Sequence, residues 1–170
     1  MRASLRACLW HVLIAVALCG AVGNPVQGAM FLTQDIVNNG SIAYAANFPQ
    51  VAAVWVQIDG VWNDRPGSGV LAIENNTLIT AAHVLKGNNG LGGGITQINV
   101  YFGTNVYSAT GGAYGTDFVI HPDFVLNGQG FGNNDLAVLQ LDRQITDITP
   151  ASLFEGTLTT GMELSMAGFG

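Results

Sequence analysis

Short apolar runs, alternating with polar or small residues and cut apart by Gly and Asn, fill the chain beyond residue 50, and helical periodicity is almost absent. A period of two sends successive side chains to opposite faces and reads as strand. Val54, Val56 and Ile58 alternate, and Asp59-Gly60 follows as a hairpin turn signal. Val70, Leu71 and Ile73 form the next run, which Asn75-Asn76 closes. Thr77 to Thr80 is β-branched and apolar. Ile98, Val100 and Phe102 alternate, and Phe118 to Ile120 is a further run. Leu136, Val138 and Leu141 mark another strand, and Leu164 with Met166 a last one. About six or seven short strands separated by turns predict an all-β chain, a barrel or a sandwich.

The first residues follow a different rule. Arg2 and Arg6 precede an apolar run from Val12 to Cys19, and small residues stand at Ala21, Gly23, Gly28 and Ala29. This is the order of a secretory signal peptide, and the run is too short to span a membrane, which takes about 20 apolar residues. Residues 1–28 are therefore expected to be a signal peptide, cleaved after Gly23 or Gly28. Bulky Leu18 argues against a lipoprotein anchor at Cys19. Residues 29–50 form an N-terminal segment and 51–170 the folded domain. Both cysteines, Cys8 and Cys19, fall in the signal region, so the mature chain holds no disulfide. That absence leans towards a secreted or periplasmic bacterial protein.

Only Arg65, Lys86 and Arg143 face 11 acids after the signal, a net charge of 3 − 11 = −8. Such a chain has no electrostatic footprint for nucleic acid and nothing to hold it on an anionic membrane. Gly87–Gly94 holds five glycines and two asparagines. It reads as a flexible surface loop, because the Lys-Ser/Thr ending of a phosphate loop is missing.

Two histidines remain, His83 and His121. A lone histidine in a β domain is usually structural, but the context of His83 is specific. Gly67-Ser68-Gly69-Val70-Leu71 leads through a turn into Leu78-Ile79-Thr80-Ala81-Ala82-His83-Val84. Downstream by 52 residues comes Asn134-Asp135-Leu136-Ala137-Val138-Leu139-Gln140-Leu141, preceded by Val119-Ile120-His121-Pro122. The sequence ends in Met166-Ala167-Gly168-Phe169-Gly170. In this order the four segments resemble the trypsin/chymotrypsin-like serine protease family, and the absence of cysteine is closest to its bacterial secreted members. Val84 stands where the family usually has cysteine, and Phe169 where it has tryptophan.

The resemblance implies an antiparallel β-barrel, the first of the family's two, with the second barrel absent. It implies a secreted serine endopeptidase acting on protein or peptide substrates, with no cofactor and no metal. His83 would be the general base and Asp135 the carboxylate that orients it. His121 would be structural. A hydroxyl nucleophile needs a base beside it, and imidazole held in one tautomer by a carboxylate supplies one. No serine of the chain stands in Gly-Asp-Ser-Gly-Gly; Ser68, between glycines, reads as part of a strand start. The nucleophile is thus expected outside these residues, and the chain alone is expected to be inactive. Ile36-Val37 loosely echoes the family's activation terminus, but Asp35 before it does not suit trypsin-type processing. The alternative is a non-catalytic binding module. A metal site on His83, His121 and Asp135 is disfavoured by the absence of ligand spacing.

Overall fold

The computed structural model describes residues 29–30, 47–88, 90–103, 112–126, 132–162 and 167–169. The signal region, the Ile36-Val37 segment, Leu164 and Met166 lie outside them. The strands are β1 (Ala29–Met30), β2 (Val51–Ile58), β3 (Val61–Trp62), β4 (Gly67–Leu71), β5 (Thr77–Thr80), β6 (Ile95–Phe102), β7 (Ala113–Ile120), β8 (Val125–Leu126), β9 (Gly132–Asn133), β10 (Ala137–Leu141) and β11 (Ala167–Gly168).

Six of them close a barrel. The order runs β2-β4-β5-β10-β7-β6, and β6 returns to pair with β2, with β3 added beside β2. Every pairing within it is antiparallel. Closure removes the open edges that would otherwise invite pairing with other chains. The turn after β2 carries Asp59 at φ 50° and Gly60 at φ 82°. Both central residues of a tight hairpin turn must be left-handed to match strand twist, which is why Asp-Gly stands there.

Alternation decides what is inside. Ala52, Val54 and Val56 of β2 join Leu71, Leu78, Ile98, Val100, Phe102, Ala113, Ala137, Leu139 and Leu141 in the main core. In β10 the buried face is Ala137, Leu139 and Leu141. Of the three residues that marked this strand, Leu141 is inside, Val138 is on the outer face, and Leu136 packs outside the barrel near Ala72, Ile79 and Ala151. The outer wall is apolar as well. Val51 and Ala53 are buried there against Phe169, with Phe48, Val70 and Ala167 packed alongside.

One expectation is corrected. Ile73 does not extend β4; it sits at φ 70° in the following turn, where the Glu74 N–H donates to the Ala72 carbonyl. The return to β5 is too tight for the strand to run on. In the expected Gly87–Gly94 surface loop, the described residues turn the backbone repeatedly. Gly87 and Gly93 form a bridge, and Gly87, Gly90, Gly92 and Gly94 all have positive φ. A Cβ on Gly92 would stand 2.3 Å from the Phe118 ring. The glycines there answer to backbone conformation and close approach.

Candidate active site

The register of β5 against β10 sets the site. Thr80 pairs with Ala137 and Ile79 with Val138. Continuing that antiparallel count beyond both strands carries the residues after Thr80 towards those before Ala137. His83 follows β5 by three residues, on a 3-10 turn over Ala82–Leu85. Ala82 and Leu85 are fully buried, and the core thereby anchors that turn on both sides of His83. Asp135 precedes β10 by two residues.

Asp135 grips His83 at two points. Its Oδ1 accepts the backbone N–H of His83 at 2.8 Å, and its Oδ2 lies 2.6 Å from His83 Nδ1. One carboxylate therefore fixes both the turn and the ring. With Asp135 ionised, the Nδ1 contact requires a proton on that nitrogen, which selects the tautomer. The imidazole is 38% exposed and the carboxylate 23%. The ring stands at the surface while its partner is set deeper.

The residue before Asp135 explains part of the Asn-Asp pair. Asn134 is left-handed, φ 55°, a conformation Asn tolerates better than most side chains. Its Nδ2 donates to the Asp123 carbonyl, and the Leu136 N–H donates to the Asn134 carbonyl. The chain therefore turns sharply at Asp135. His121 braces the same corner. Its N–H donates to the Leu136 carbonyl, and its Nδ1 accepts the Asp123 N–H.

Sequence reasoning named the two members of the pair but missed their supports. Thr80, 5% exposed, donates its hydroxyl to the Ser68 carbonyl at 2.7 Å. Gly67 lies under Val84, the neighbour of His83; a Cβ on it would stand 2.5 Å from Val84 Cγ2. The Gly-Ser-Gly run was the available signal. Ser68 lies in β4, as expected of a strand start. Among the described residues, no three His, Cys, Asp or Glu side chains group as metal ligands would.

The geometry is that of a carboxylate-oriented imidazole on an antiparallel barrel. The trypsin family profile matches residues 37–170, most of the sequence, and the chain belongs to that family. No curated protein matches it. Among solved structures it is similar to GrC, at 22% identity and TM-score 0.43 over 62% of this chain and 41% of that one. It is similar to kallikrein-related peptidase 10 at 20% identity and TM-score 0.39, over 61% and 40%. It is also similar to the scabies mite inactivated protease paralogue S-D1, at 15% identity and TM-score 0.43, over 64% and 40%. The chain thus spans about two fifths of the length of these structures.

Proposed function

We propose that this chain is the histidine- and aspartate-bearing barrel of a secreted, bacterial-type serine endopeptidase. The single observation that carries the reading is the double grip of Asp135 on His83. It supports a role split in which Asp135 orients the ring and stabilises the imidazolium, while Nε2 exchanges protons with the reacting groups. In the forward step His83 takes the proton of a serine hydroxyl as its oxygen attacks the scissile carbonyl. The proton then passes to the leaving amine, the C–N bond breaks and an acyl-enzyme remains. Water, deprotonated by the same nitrogen, releases the acid. The serine and the oxyanion donors come from outside the residues of this chain, and residues 1–28 direct its export.

The test uses the exported protein that carries this barrel. It should hydrolyse casein and take up a fluorophosphonate at a serine. His83→Ala should lower kcat about 10⁴-fold or more, and Asp135→Asn by a similar factor through the wrong tautomer. The 170-residue chain by itself should hydrolyse nothing. Casein hydrolysis that survives His83→Ala would remove the catalytic assignment, and no labelling at all would leave a binding module as the better account.

A further inference from the structure

Gly67-Ser68-Gly69 joins parts of the molecule far apart in sequence. The residues alternate across the barrel wall, and only the middle one has a side chain. A Cβ on Gly69 would meet Leu78 and Val54, both in the core, at 2.4 and 3.2 Å. Ser68 therefore points to the opposite, outer face. There it pairs in register with Ala53, which packs beside Val51 and Phe169. On this apolar wall the Ser68 Oγ accepts the Phe169 N–H at 2.6 Å, across 101 residues. Its backbone carbonyl meanwhile accepts the Thr80 hydroxyl. Thr80 pairs with Gly69 on one side and Ala137 on the other. It is three residues from His83 and two register steps from Asp135.

We propose that Ser68 is a positioning residue that registers the Ala167–Phe169 segment to the strand pair carrying His83 and Asp135. Side chain and carbonyl of one residue hold the two parties, so a shift of either is felt by the other. Phe169 is 7% exposed, and giving up a buried hydrogen bond of its N–H is costly. A glycine or alanine at 68 removes that bond. The approach is also close on the far side, since a Cβ on Gly168 would stand 2.8 Å from Ser68 Oγ. Neither bond requires peptide hydrolysis, so the coupling can fail or hold independently of the peptidase reading.

The experiment is NMR on the whole chain, with two readouts. One is amide hydrogen exchange at Phe169. The other is the downfield ring-proton resonance of His83 Nδ1, assigned by its loss in Asp135→Asn. Ser68→Ala should speed Phe169 exchange at least tenfold and shift or broaden the His83 resonance. Ser68→Thr, which keeps the hydroxyl, should return both towards the parent. Unchanged exchange at Phe169 overturns the proposal. So does a freed Phe169 with an unmoved His83 signal, since that makes Ser68 a local anchor only. If Ser68→Ala does not fold, Gly168→Ala strains the same contact from the other strand. It should move both signals, and movement of neither, or of Phe169 alone, overturns the proposal equally.

Discussion

Asp135 carries two hydrogen bonds from one residue, and its removal shows what each is for. In Asp135→Ala the His83 backbone N–H and ring Nδ1 both lose their contact with Asp135. The site is partly exposed, so water recovers some of the loss. A destabilisation of about 1–3 kcal/mol follows, read as a lower urea midpoint at unchanged slope. Asp135→Asn can still accept from one donor and should cost less. Ile73 is the opposite case. It is β-branched, 45% exposed and left-handed at φ 70°. A left-handed L-residue costs roughly 1–2 kcal/mol, less for Asn. Ile73→Asn should therefore raise stability by up to about 1 kcal/mol, measured by the same unfolding curve. A drop would mean that the side chain makes a contact outweighing the strain.

Strands were legible where one face is apolar and the other polar. Ile98, Val100 and Phe102 alternate in the sequence and all three are buried in β6. In β10 the inner face is Ala137, Leu139 and Leu141 and the outer one Val138 and Gln140, while Leu136, just before the strand, packs on an outer wall with Ala72, Ile79 and Ala151. Period alone could not say which face is inside. The first half of β7, Ala113–Asp117, is mostly small or polar and gave no signal, although its register to β10 holds it in the barrel. At the site, His83 and Asp135 were legible from their flanking segments. Ser68 and Thr80 were not, because their bonds cross elements far apart in sequence. Glycines separate into two kinds on the same grounds. Gly60 has φ 82° with nothing within 4 Å of a Cβ, whereas Gly69 has an ordinary φ and a Leu78 methyl at 2.4 Å. Gly60→Ala should cost only the left-handed penalty, about 1 kcal/mol. Gly69→Ala overpacks the core between β4 and β5 and should cost about 1–3 kcal/mol. Equal melting shifts for the two variants would contradict this division.

For the molecule as a whole, the outer wall matters as much as the core. The residues after β10 return across the barrel. The Ala151 N–H donates to the Leu71 carbonyl and its carbonyl accepts the Ile73 N–H. Ala151 covers Ala72 and Ile79, and Phe169 covers Val51 and Ala53. Among the described residues, the main cluster reaches no further along the chain than Ile145 and Ile148, so the inward core does not draw on these contacts. A chain shortened to end at Pro150 keeps that cluster and loses the cover. It should still close its barrel and unfold cooperatively. The loss of Phe169 burial alone is worth about 1.5–3 kcal/mol, so the midpoint should fall. Val51, Ala53, Val70 and Ile79 would then meet water as one continuous apolar patch on the wall shared by β2, β4 and β5. Patches of this kind promote association between copies. Light scattering should accordingly show a concentration-dependent rise in mass for the shortened chain relative to the 170-residue chain. Equal masses at matched concentration would show that the strand backbone and the remaining side chains shield the wall unaided. The return segment would then be needed only for what Ser68 does with it.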